Sequence, residues 1–235
     1  MILIFPVLGA VCLWCFLKNR IKKASAQSLI WKTCASICFL GTAFIGLWRN
    51  SLSGGRTEFS LLITAGLFFG LLGDVWLDLK WNCPDENDRY TFAGFWSFAI
   101  GHICFLTALI RYSGANAKTT SIIVLLMVAA VAGVVIGFSG RLLSLDYGRF
   151  KGITMFYGAL LIGTTLVSGR LMIQSRFSPF LVLFFAGAVL FLISDLILSG
   201  TYFGEGKDRP VDIISNHIFY YAAQFLIAFA VSAAV

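Results

Sequence analysis

Eight stretches of apolar residues divide the chain: 2–17, 29–48, 59–79, 91–110, 119–138, 152–168, 179–199 and 214–234. Most approach the roughly 20 residues that a helix needs to cross a bilayer core. Between them lie short polar segments, 18–28, 49–58, 80–90, 111–118, 139–151, 169–178 and 200–213, punctuated by Gly54-Gly55, Cys83-Pro84 and Ser178-Pro179. Transmembrane β-strands would be about half as long and would alternate apolar with polar residues. These runs do neither. The pattern predicts an all-α polytopic membrane protein of about eight transmembrane helices, forming a single integral membrane domain over 1–235. The first run resembles a signal peptide in length, but its cations (Lys18, Arg20, Lys22 and Lys23) follow the apolar stretch instead of preceding it. A retained first helix is therefore expected.

Composition agrees. Residues 59% hydrophobic and only 12% charged leave no room for a separate water-soluble domain, since the charged share is about half that of soluble proteins. The net charge of +7 would suggest a nucleic-acid partner in a soluble chain. Here the cations sit almost entirely between the apolar runs, where they set topology and meet anionic head groups, so the expected partner is the lipid bilayer and not nucleic acid. The odd-numbered connecting segments hold more Lys and Arg than the even-numbered ones, which places the odd segments in the cytoplasm. Of the six cysteines, five lie in apolar runs. Cys12-x-x-Cys15 has a redox-like spacing but no neighbouring His or second pair, so it reads as packing.

Two short contexts recur. Gly70-Leu-Leu-Gly-Asp74-Val-Trp-Leu-Asp78 in the third run parallels Phe191-Leu-Ile-Ser-Asp195-Leu-Ile-Leu-Ser199 in the seventh. In the following runs Gly101-His102-Ile103 parallels Asn216-His217-Ile218. Four helices per half is an even number, so a duplication with halves 1–118 and 119–235 is parallel, a 4+4 repeat in one membrane orientation.

A carboxylate at mid-bilayer costs on the order of 2.5–3.5 kcal/mol and usually faces the bundle interior with a partner. Asp74 and Asp195 lie about one helical turn inside their runs, both toward the odd-segment side. Asp78, next to its run's end, is expected to reach water. The eighth run starts from that same side with Asn216 and His217, and His217, Tyr220, Tyr221 and Gln224 share one helical face. Tyr157 opens the sixth run, and His102 lies deeper in the fourth. Buried polarity thus gathers in one half of the membrane. Each of these residues also has a structural reading: an interhelical hydrogen bond for the Asp, His and Gln, an interfacial anchor for Tyr220 or Tyr221.

No Walker loop, nucleophile elbow or zinc helix is present. With two histidines the chain falls short of the three ligands usual for catalytic zinc, so no metal and no cofactor are expected. Two carboxylates in one apolar cavity suit general acid–base work, in which a protonated acid stands beside an ionised partner. A reaction through a cationic, oxocarbenium-like transition state fits such a pair.

The segment Gly70–Asp74, the Gly101-His102 step, Tyr157, Ile193-Ser194-Asp195-Leu196 and Tyr220-Tyr221-Ala-Ala-Gln224 resemble the YhhN-like lysoplasmalogenases, over nearly the whole chain. The resemblance implies hydrolysis of the vinyl ether of a lysophospholipid substrate, a lysoplasmalogen, to a fatty aldehyde and glycerophosphoethanolamine or glycerophosphocholine. It implies catalytic roles for Asp74 and Asp195, with His102, Tyr157, Asn216, His217, Tyr221 and Gln224 around substrate, and Arg89 or Lys151 as candidates to attract phosphate. The alternatives are a membrane transporter or lipid-binding protein with a central polar site, and a ceramidase-like membrane hydrolase.

Overall fold

In a computed structural model, described for residues 3–114, 119–204 and 209–234, each apolar run becomes a helix, in most cases one longer than the run. The long helices are α1 (Ile4–Ile21), α2 (Ser25–Ser53), α3 (Thr57–Leu79), α4 (Asn87–Ser113), α5 (Thr119–Phe138), α7 (Lys151–Gln174), α8 (Pro179–Phe203) and α9 (Pro210–Ala233); α6 is a four-residue turn, Gly140–Leu143. All eight long helices are long and apolar enough to cross a membrane, and the chain is an integral, multi-pass membrane protein. Lys118 and Lys207, counted in the charge pattern above, lie outside the described residues.

The boundaries follow local chemistry. Gly54 adopts φ +69°, the left-handed conformation that ends a helix at low cost in glycine, and it stops α2. Pro179 and Pro210 open α8 and α9, where a missing N–H costs nothing.

Four antiparallel hairpins build the bundle: α1 on α2, α3 on α4, α5 on α7 and α8 on α9. Within each set of four, the second long helix also packs on the third, α2 on α3 and α7 on α8. The sets join through α4 on α7 and α2 on α9. Exchanging α1–α4 for α5, α7, α8 and α9 reproduces all of these neighbours.

Small residues set the closest approach. A Cβ on Gly66 would stand 2.9 Å from the Gly101 carbonyl, and one on Gly101 would stand 2.9 Å from the Gly66 carbonyl. Here α3 and α4 touch backbone to backbone, an approach driven by dispersion in a membrane interior.

The two ends of the bundle differ. At one end Phe59, Phe180 and Phe184 meet edge to face, and Asn50 donates to Ser60 Oγ (2.6 Å) and to the Val231 carbonyl (2.7 Å), tying α2, α3 and α9. The other end holds the buried charges.

Candidate functional site

The C-terminal ends of α1, α3 and α8 and the N-terminal ends of α2 and α9 surround a cavity of about 780 Å³. Its wall includes Arg20, Lys32, Asp74, Asp78, Lys80, Asp195, Asn216, His217 and Tyr220. Asp74, Asp195, Asn216 and His217 of the expected residues line it, together with a cation that the apolar pattern concealed.

That cation is Lys32 of α2, 5% exposed. Its Nζ lies 3.4 Å from Asp74 Oδ1 and 3.1 Å from Asp78 Oδ1. Asp74 is 1% exposed. Its Oδ2 accepts from Ser36 Oγ at 2.6 Å and from the Tyr220 hydroxyl at 2.8 Å. Gln224 Nε2 donates to that hydroxyl at 2.8 Å and so aims it. The Tyr221 hydroxyl lies 3.1 Å from Ser36 Oγ and 3.0 Å from the Lys32 carbonyl. Tyr221 and Gln224 thus act behind Asp74 and line neither cavity described here. Tyr220 is buried against Asp74 and is no interfacial anchor.

Asp78 corrects a sequence expectation. It does not reach water: it is 2% exposed, and its Oδ1 pairs with Arg20 Nη2 at 2.7 Å as well as with Lys32. The end of α1, carrying Arg20, covers the turn of α3 that a count from the helix end would leave in solvent. Two cations and two carboxylates form a network there, as buried charge requires, with Asp78 Oδ2 left without a hydrogen-bond partner among the described residues.

Asp195 has different company. Its described partner is the Tyr157 hydroxyl, which donates to Oδ2. No Lys or Arg pairs with it among the described residues. It is half-buried, because two cavities open onto it. The second, about 140 Å³, is lined by Tyr157, Leu161, Leu192 and Leu196 among other mostly apolar side chains of α5, α7 and α8.

The remaining expected residues divide. Asn216 lines the large cavity and donates to the Ser194 carbonyl (2.7 Å), bracing the turn of α8 before Asp195. His217 lines it too, with Nδ1 2.8 Å from the Ile213 carbonyl and its ring 4.7 Å from that of Phe16. His102 lies off both cavities. Its Nδ1 is 3.1 Å from Thr164 Oγ1 and its ring packs against Tyr157 and Phe191. The two histidines therefore occupy unlike surroundings despite their similar sequence contexts. Among the described residues no three His, Cys, Asp or Glu side chains come together as a metal site. Arg89 pairs with Glu86 on the surface and Lys151 sits over Phe138, so neither lines a cavity.

Lys80, just past the end of α3, does line the large cavity. It is 9% exposed, and its Nζ sits 3.3 Å from the centre of the Tyr202 ring. Among the described residues it has no carboxylate partner. Burial, with the charges of Arg20 and Lys32 adding to it against the pull of Asp78, pushes its pKa down to about 7.

One regularity links the two aspartates. Ser36 and Asp74 are 38 residues apart, and so are Tyr157 and Asp195. A single shift of 121 residues carries one bonded pair onto the other. The same shift carries Lys32 onto Ile153, Asp78 onto Ser199 and Lys80 onto Thr201.

No curated protein and no solved structure matches the chain. The sequence model of the YhhN family matches residues 27–231. That stretch runs from the start of α2 nearly to the end of α9 and contains both aspartates, their hydroxyl partners and Lys32: the chain belongs to the YhhN family.

Proposed function

We propose that the protein hydrolyses the vinyl ether bond of lysoplasmalogens, releasing a fatty aldehyde and glycerophosphoethanolamine or glycerophosphocholine. The observation that carries the reading is the pair Asp74 and Asp195: both line one cavity at the same end of the bundle, and their partners are unlike. Family membership and the agreement between the site and the chemistry of vinyl ethers support it.

Asp195 offers a carboxyl oxygen with no described hydrogen-bond partner at the meeting point of two cavities, so it is the proton donor. It protonates the alkene carbon remote from the ether oxygen, giving an oxocarbenium ion. Asp74 is already committed as an acceptor to Lys32, Ser36 and Tyr220. It serves as the carboxylate that faces the cation and takes a proton from the attacking water. The hemiacetal then collapses: its hydroxyl proton passes to the departing glycerol oxygen and the aldehyde is released. Proton exchange through cavity water resets the pair. General acid–base catalysis of this kind contributes about 10²–10⁴-fold.

The test is aldehyde release from lysoplasmalogen by detergent-solubilised protein. Asp74→Asn and Asp195→Asn should each lower the rate by about 10²–10⁴-fold with melting curves that still show a folded protein. A folded Asp195→Asn variant with wild-type rate sinks the reading. So does wild-type protein that binds lysoplasmalogen but releases no aldehyde, which is the behaviour of a transporter.

A further inference from the structure

The two cavities share a wall, and that wall contains Asp195 and Leu198. On one side the cavity of about 780 Å³ carries Arg20, Lys32 and Lys80, besides the exposed Lys23. Asp74 and Asp78 engage Arg20 and Lys32. Lys80 remains as a cation nine-tenths buried, facing the cavity, with no carboxylate partner among the described residues. On the other side the slot of about 140 Å³ is mostly apolar. Its lining includes Leu143 and Leu196, which are 52% and 64% exposed. Its floor is closed by the segment after α6: the Asp146 N–H donates to the Phe203 carbonyl at 2.8 Å, and Leu145 bridges to Gly204.

Apolar slot, aspartate, basic cavity: this is the layout of an amphiphile with one hydrocarbon chain, a linking oxygen and an anionic head. Resting on the hydrolase reading above, we infer that the substrate's chain lies in the slot between α5, α7 and α8 and its phosphodiester lies in the large cavity at Lys80. The bond that joins chain to head then falls at Asp195. The slot has room for part of one chain and none for a second. Selectivity for a single-chain lipid over a two-chain one follows, and the far end of a long chain emerges past Leu143 and Leu196 into the bilayer. Gly158 keeps the slot open. A Cβ there would meet only Ile136 Cδ1, at 3.1 Å, so a larger side chain at 158 fills the slot instead of striking backbone.

Binding tests this without turnover. The probe is a single-chain phospholipid with a saturated, hydrolysis-resistant alkyl ether and a diazirine near the start of its chain. It is irradiated on the full-length protein in detergent, and the adducts are mapped by mass spectrometry. Adducts are expected on the α7 and α8 residues of the slot, such as Leu161, Leu192 and Leu196, with labelling severalfold weaker in Gly158→Leu. Ser199→Leu, which fills the slot from α8, provides a second variant should the first fail to fold. Lys80→Gln should weaken labelling by the phosphate-bearing probe and leave labelling by an uncharged single-chain glycerol ether unchanged. Adducts confined to the outer faces of α1 and α5, or full labelling in a folded slot-filled variant, overturn the assignment. Labelling in the slot without aldehyde release from lysoplasmalogen refutes the hydrolase reading and leaves the slot standing. Aldehyde release with adducts elsewhere does the reverse.

Discussion

Asp74 and Asp195 occupy equivalent places in two sets of four helices, yet almost everything around them differs. Each accepts from a hydroxyl 38 residues before it, Ser36 in one case and Tyr157 in the other. Around Asp74 the frame adds Lys32, Asp78 and, six residues on, Lys80. At the shifted positions around Asp195 stand Ile153, Ser199 and Thr201. The first set thus carries a buried charge network and the second an apolar slot. We propose that a parallel duplication, with halves 1–118 and 119–235, produced the frame. The difference teaches that a repeated scaffold fixes where two carboxylates sit, while a few single-residue differences decide what each can do.

The largest stability contrast lies in the cation that only one set has. Lys32→Met leaves Asp74 and Asp78 buried beside Arg20 alone, and loss of one partner from a buried network costs about 3–5 kcal/mol. Ile153→Met, at the matching position, is a volume-conserving swap and costs less than about 1.5 kcal/mol. Thermal unfolding in detergent compares the two. Equal losses would mean that Lys32 does not hold the carboxylates together.

A smaller contrast concerns the hydroxyls. Tyr157→Phe removes the described partner of Asp195, whereas Ser36→Ala removes one of three donors from Asp74. Giving up its proton turns Asp195 into a carboxylate, and a hydrogen bond to a charged group is worth about 1.5–3 kcal/mol, so Tyr157→Phe should slow aldehyde release by at least about tenfold and Ser36→Ala by less. Initial rates on both variants decide it, and the reverse order breaks the asymmetry.

The smallest effect is a pH dependence. Lys80 faces Arg20 of α1, Lys32 of α2, Asp78 of α3 and the Tyr202 ring of α8. With its pKa held down to about 7, it is charged below that pH and loses its charge as pH rises through it. Attraction for a phosphodiester therefore weakens upward through neutrality. KM for a phosphate-bearing substrate should rise severalfold between about pH 6 and 8, and Lys80→Arg, whose guanidinium stays protonated, should flatten that rise. A KM that stays flat in the wild type separates Lys80 from head-group binding.

Much of this was legible in the chain. The eight helices follow from eight runs of spanning length, since no other hydrogen-bonded element hides so much backbone in lipid. Asp74 and Asp195 stand out because carboxylates inside such runs are costly. Lys32 escapes notice because a single Lys near the start of an apolar run looks like a residue that can extend to the interface. Only the docking of α3 and α1 shows that it is enclosed. Asp78 misleads for the same reason: distance from a helix end measures exposure only where no other helix covers that end. The 38-residue spacing was present in the sequence, but it gains meaning only when α2 meets α3 and α7 meets α8. The similar contexts of His102 and His217 promised equivalence and delivered none, because one helix turns its histidine toward aromatic rings and the other toward the cavity.

The enclosure of Lys32 also constrains how the chain is made. Lys32 leaves the ribosome 46 residues ahead of Asp78. At about 5–20 residues per second its partner follows several seconds later. Until then nothing encloses the ammonium, and its stem can carry it to the interface. The pairs with Asp74 and Asp78 form only once α3 packs beside α2, so it is this hairpin that completes the enclosure of Lys32.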